Sequence, residues 1–134
     1  MGQLRLFAYG TLVTGVRDPA IAALLSDHLL ERRRAWIPGS LYDLGPFPGA
    51  QPGAARIRGE LLVLDSPRVC LPALDGYEDC DPRRPRHGMY RRERVWAMEA
   101  PARRRRCWVY WLNSRPTGAR LIPHGDYRRW LEER

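Results

Sequence analysis

Between Leu44 and Ala54 the chain reads Gly45-Pro46-Phe47-Pro48-Gly49 and then Gln51-Pro52-Gly53, a run of breakers that no helix can cross. The segment is read as a loop, and it separates an opening unit from the rest. In that unit Leu4, Leu6 and Ala8 alternate with Arg5, Phe7 and Tyr9, which predicts a short strand ending at Gly10. Asp18 followed by Pro19 supplies a cap and a preset first turn for a helix through Ile21, Ala22, Leu24, Leu25 and His28. Beyond the charged Glu31 to Arg34, the segment Ala35 to Leu44 reads as extended.

After the breaker, Arg56 to Leu64 places Ile57, Gly59, Leu61 and Val63 on one face, with Leu62 and Leu64 apolar on the other. This predicts a strand buried on both sides. Ser66-Pro67 repeats the capping signal and opens a helix with Val69, Leu71, Leu74 and Tyr77 inward, while Pro72 predicts a kink or an early end. Asp79 to Gly88 is a solvated loop, of which Asp79 to His87, by its length and charge, is a candidate lid over Glu78. Met89 to Met98 and Arg105 to Leu112, joined by Glu99 to Arg104, form a long hairpin, and Asp126 caps a closing helix carrying Tyr127, Trp130 and Leu131. The expected product is one α+β domain over residues 1–134, with a curved, mostly antiparallel sheet of five or six strands and short helices. The order of elements lacks the strand–helix alternation of a doubly wound fold.

Composition narrows the function classes. No apolar run approaches the 18 to 20 residues of a membrane helix, and Arg5 interrupts the first apolar stretch, so neither a membrane anchor nor a secretory signal is expected and the location is read as cytoplasmic. Cys70, Cys80 and Cys107 are an odd set without a CxxC pair, read as reduced, buried thiols. His28, His87 and His124 lack metal-ligand spacing and an evident carboxylate companion. All 23 basic side chains are arginine, against 15 acidic ones, for a net charge of +8. Twelve glycines and twelve prolines mark the bias of a GC-rich coding sequence, which makes arginine a background choice. The runs Arg32 to Arg34, Arg83 to Arg86 and Arg103 to Arg106 have Trp36 and Trp108 nearby, a pattern used on single-stranded nucleic acid. They fall in a linker, a loop and a hairpin turn, where solvated charge is the default, so nucleic acid is disfavoured as a partner.

Two places carry chemistry. Tyr9-Gly10-Thr11-Leu12-Val13-Thr14-Gly15 runs from a strand into a glycine-bearing turn, which can aim consecutive backbone N–H groups at an anion; read blandly, it is an ordinary turn. It matches no nucleotide-phosphate loop. Leu74-Asp75-Gly76-Tyr77-Glu78 ends an apolar helix with a carboxylate. Burial there would raise its pKa toward the range of a general base, and its bland reading is a solvated acid beside Asp79 and Asp81.

These segments, with Gly39-Ser40-Leu41-Tyr42-Asp43, Phe47-Pro48-Gly49, Gly59-Glu60-Leu61 and Met89-Tyr90-Arg91-Arg92, stand in the order and spacing of a known family. From residue 4 to about 131 the chain resembles the γ-glutamylcyclotransferase-like, or AIG2-like, proteins. The resemblance implies a small mixed β-barrel or strongly curved sheet flanked by short helices. It also implies an enzyme of the lyase or acyltransferase class that cyclises a γ-glutamyl group to 5-oxoproline and releases an amine or amino acid, without metal or organic cofactor. By the same resemblance Glu78 is the catalytic acid/base, Tyr9, Gly10, Thr11 and Leu12 form the substrate loop, and Tyr90 and Tyr110 are pocket tyrosines. The partner is then a small γ-glutamyl compound, on a monomer or weak homodimer. Trp36, Phe47, Trp96 and Trp108 are candidates for the pocket wall or for the core. A non-catalytic small-molecule binding module on the same fold and an arginine-rich nucleic-acid binder are the alternatives.

Overall fold

The computed structural model describes residues 2–114 and 116–134. In chain order it comprises β1 (Leu4–Ala8), α1 (Thr11–Thr14), α2 (Pro19–His28), β2 (Leu29–Asp43), β3 (Pro48–Leu64), α3 (Pro67–Tyr77), β4 (Tyr90–Glu99), β5 (Arg103–Leu112), β6 (Arg120–Ile122) and α4 (Tyr127–Glu133). The six strands form one mixed sheet in the order β3-β1-β5-β4-β2-β6. A further pairing of β2 with β3 joins the ends of the first five, so the pairings run as a ring with β6 attached to β2. Every pair is antiparallel except β1 with β5, which meet in parallel at Leu6 and Trp108.

The alternation read in the sequence acquires two destinations. Phe7, Ile37, Leu41, Ile57, Leu61, Val109 and Trp111 pack inside the ring. Leu4, Leu6, Leu62 and Leu64 face outward and are covered by Ile21 and Leu25 of α2 and by Cys70 and Leu74 of α3. Strands β1 and β3 are thus buried on both faces, as Arg56 to Leu64 foretold, and each fully buried Leu or Phe contributes about 1.5–3 kcal/mol relative to exposure.

Several local expectations are corrected. Pro48 to Gln51 is strand rather than loop: Pro48 pairs with Asp43, Gly49 with Tyr42, Ala50 with Leu41 and Gln51 with Ser40. Proline is tolerated as the first residue of a strand and at a bulge. The ladder resumes at Arg56 opposite Pro38, so Pro52 to Ala55 fall in the register shift between them. The remaining turn is only Leu44 to Phe47, closed by the Leu44 N–H on the Phe47 carbonyl at 3.0 Å. Asp18 and Asp126 cap α2 and α4 as expected, but Ser66 does not cap α3; it sits at φ 52° with no side-chain bond to the helix. Helix α3 runs on past Pro72 to Tyr77. Two elements were not foreseen: the one-turn α1 and the three-residue β6.

The arginine runs also move. Arg32 to Arg34 lie within β2 and Arg103 to Arg106 within β5, so neither is linker or turn. Arg105 is buried between Glu99 and Glu31, both at 3.4 Å, because alternation turns it inward. All three cysteines are buried and unpaired. His28 and His124 do have carboxylate companions, Asp65 at 2.6 Å and Glu133 at 2.7 Å. Among the described residues no cluster of metal-ligating side chains forms, and no helix is long and apolar enough to cross a membrane.

Candidate active site

A cavity of about 340 Å³ opens where the end of β1, the turn between β2 and β3, the end of α3 and the starts and ends of the β4–β5 hairpin meet. It gathers every residue singled out for the site: Tyr9, Gly10, Thr11, Leu12, Glu78, Tyr90 and Tyr110. Phe47, Pro48 and Met89 supply apolar wall. Trp36, Trp96 and Trp108 do not line it.

Glu78 is delivered by helix termination. Its own N–H still reaches the Leu74 carbonyl at 2.9 Å, and the next residue, Asp79, turns into the left-handed region at φ 52°. Asp79 then holds the base of the following loop: its side chain accepts from the Met89 N–H at 3.1 Å, and its carbonyl crowds Gly88 so closely that no Cβ fits there. Asn113 pins the far side of that loop through the carbonyls of Pro85 and Gly88, at 2.7 and 2.8 Å. Of the loop that sequence offered as a lid, Asp79 lines the cavity and residues 80–87 do not.

The Glu78 side chain is partly exposed at the cavity wall, yet its carboxyl is closely surrounded by protein, and this burial pushes its pKa from the usual 4.5 up to about 7. Among the described residues nothing donates a hydrogen bond or a positive charge to it. Asp75, one helical turn earlier, has the opposite surroundings. It is buried but bound by Arg92 through two contacts, Nε at 2.7 Å and Nη2 at 3.1 Å, and it accepts the Tyr110 hydroxyl at 2.8 Å. The same helix end therefore carries one neutralised carboxylate and one that ionises only near neutrality.

The tyrosines are held as fixed donors to protein. Tyr9 donates to the Tyr110 carbonyl at 2.6 Å, Tyr90 to the Pro48 carbonyl at 2.9 Å and Tyr110 to Asp75. Burial first, and then neighbouring phenols and carboxylates, hold all three hydroxyls above their ordinary pKa, so they stay protonated. With their protons committed, the phenol oxygens have only lone pairs left to offer a ligand. Opposite in character is the turn after β1. Val13 and Thr14 N–H groups close onto the Gly10 carbonyl, while the N–H groups of Gly10, Thr11 and Leu12 have no acceptor among the described residues. Gly10 is confined by Pro48, whose ring lies 2.9 Å from where a Cβ would stand, which brings the two loops together. Thr11 is further tied to Tyr77, Oγ1 to hydroxyl at 2.7 Å.

Sequence reasoning missed Asp75 and Arg92 as supports of Tyr110, and Tyr77 as a cavity residue. The available signals were the i, i+3 spacing of Asp75 to Glu78 and the two-residue spacing of Tyr90 to Arg92 in a strand.

Comparison with known proteins bears on the family and the fold. The family model described as gamma-glutamyl cyclotransferase, AIG2-like, matches residues 6–129. The gamma-glutamylcyclotransferase family protein YtfP of Escherichia coli K12 is 28% identical over 132 residues, covering 96% of this chain and 97% of that one. The solution structure of ytfP from Escherichia coli superposes with a TM-score of 0.58 at 26% identity, over 92% of this chain and 96% of that chain. An aig2-like protein from Mus musculus superposes with a TM-score of 0.72 at 24% identity, over 95% and 89% of the two chains.

Proposed function

The chain belongs to the gamma-glutamyl cyclotransferase, AIG2-like, family, and from that premise we propose that it converts a γ-glutamyl compound into 5-oxoproline and a free amine or amino acid, with Glu78 as the general acid/base. The observation that carries the reading is the near-neutral Glu78 carboxyl in one cavity with the acceptorless N–H groups of Gly10, Thr11 and Leu12.

In a γ-glutamyl amide the α-amine lies within five-membered-ring reach of the γ-carbonyl, so catalysis needs a folded conformer and a proton carrier. The Glu78 carboxylate takes a proton from the α-amine as its nitrogen bonds to the carbon of the γ-carbonyl. Charge on the carbonyl oxygen, or the substrate's carboxylate, is held by the N–H groups of the Tyr9 to Leu12 loop. The lone pairs of the tyrosine oxygens suit the amine end. As the tetrahedral intermediate collapses, the bond to the leaving nitrogen breaks and Glu78 returns the proton to it. A pKa of about 7 suits a group that must both accept and donate near neutrality.

Incubating the protein with a panel of γ-glutamyl amino acids and amines, and measuring 5-oxoproline, tests the reading directly. Release from one or more members, abolished in Glu78→Gln, is expected; no release from any member leaves the binding-module alternative in its place.

A further inference from the structure

The outer face of the β4–β5 hairpin is separate from the cavity and concentrates positive charge, of which only Arg92 meets a carboxylate among the described residues. The register sets Arg94 against Trp108, Trp96 against Arg106 and Met98 against Arg104. The alternate residues Val95, Ala97, Cys107 and Val109 belong to the interior of the ring, so this set points outward. Trp96, 42% exposed, has the guanidinium groups of Arg104 and Arg106 at 4.6 and 5.7 Å from its ring centre. Trp108 has those of Arg92 and Arg94 at 4.5 and 4.8 Å. The face continues onto β2, where Trp36, the partner of Met98, carries Arg56 at 4.0 Å. Arg94, Arg104 and Arg106 are exposed and meet no carboxylate among the described residues.

We propose that this face binds a single-stranded nucleic acid. An unpaired strand offers phosphates at regular intervals and bases whose flat faces are free, and it is recognised by a basic surface studded with aromatic rings. Here both requirements alternate along two adjacent strands, with same-face neighbours about 7 Å apart along each strand. The indoles hold the guanidinium groups beside them, so Arg94, Arg104 and Arg106, unlike Arg92, which Asp75 holds, can fork onto a phosphate or stack beneath a base. An acidic protein or a sulfated polysaccharide would satisfy the charge and leave the indoles without a stacking partner. A duplex is disfavoured because its bases stay stacked on one another and leave no free face for the exposed aromatic rings. Of the arginine runs set aside in the sequence as solvated charge, the last thus acquires a role once Arg104 and Arg106 are seen to share a surface with Trp96.

The test is titration of the full chain against a labelled single strand of about twelve nucleotides without self-complementarity, in ribo and deoxyribo forms, followed by fluorescence anisotropy. Engagement of Arg94, Arg104 and Arg106 with three phosphates predicts a slope of log K against log salt of about −2, or a loss near twentyfold between about 50 and 200 mM salt. Trp96→Ala, an exposed position, is expected to weaken binding at least about fivefold with the slope unchanged. Arg94→Gln combined with Arg106→Gln is expected to flatten the slope by about 1.4. Both variants should release 5-oxoproline as the parent does, because neither touches the cavity. Absence of binding at about 50 mM salt overturns the proposal. So does heparin or a duplex of equal length binding as tightly as the single strand, with Trp96→Ala silent. The result does not depend on whether the cyclotransferase reading holds.

Discussion

At the scale of single residues, the pKa of Glu78 links activity to stability. If the carboxylate is the base, kcat/KM measured between pH 5 and 9 should rise through about pH 7 and then level, as the group ionises. Glu78→Gln is expected to reduce turnover about 10²-fold or more. The same raised pKa costs stability: between about pH 4.5 and 7 the folded carboxyl stays protonated while the unfolded one ionises, so stability falls as pH rises through that window and the deficit is constant above it. The deficit is at most about 3 kcal/mol. Thermal melts should therefore show Glu78→Gln more stable than the parent at pH 8 and equal to it at pH 4, a pattern that an ordinary surface acid would not give. Tyr90→Phe should cost less activity than Glu78→Gln and act on KM, because its hydroxyl positions Pro48 and faces the cavity as an acceptor. Glu78 was legible as a candidate from its place after an apolar helix. Its near-neutral pKa was not, since that depends on how closely the folded protein surrounds the carboxyl, a tertiary fact that no local pattern carries.

At the scale of elements, α3 is the lever that positions the site. Leu74 is fully buried, and its carbonyl receives the Glu78 N–H. Leu74→Ala should cost about 2–5 kcal/mol in urea unfolding and lower activity at temperatures well below the melt, because the cavity left behind loosens the turn that carries Glu78. The element readings held where periodicity was long and broke where punctuation was read too literally. Proline at position 48 and the pair Pro52-Gly53 look like loop to any propensity argument, yet the first begins a strand and the others fall where the ladder slips. Arg32 to Arg34 and Arg103 to Arg106 look like solvated turns, yet alternation divides the second run into an inward Arg105 and outward Arg104 and Arg106. β6 has only three residues, too few for a pattern to register.

At the scale of the whole molecule, the α+β class and the absence of a doubly wound sheet were readable from the order of elements, whereas the ring of pairings was not. Ring closure depends on β2 being long enough to reach β3, β4 and β6 together, and its charged first half gave no sign of strand. The net charge of +8 predicts steering of anionic substrates: kcat/KM for a substrate with two carboxylates should fall as salt rises from about 10 to 150 mM while kcat stays constant. Stopped reactions at several ionic strengths would show it, and an equal fall in kcat would assign the effect to chemistry instead. The parallel meeting of Leu6 with Trp108, and the bond from the Tyr9 hydroxyl to the Tyr110 carbonyl, join positions about a hundred residues apart. A chain leaving the ribosome can pair β1 with β3 early, but it must finish almost its whole length before Tyr110 arrives to complete the cavity. Assembly of the pocket is therefore the late event of synthesis, and a nascent chain halted before β5 carries Glu78 with one wall of its pocket still unmade.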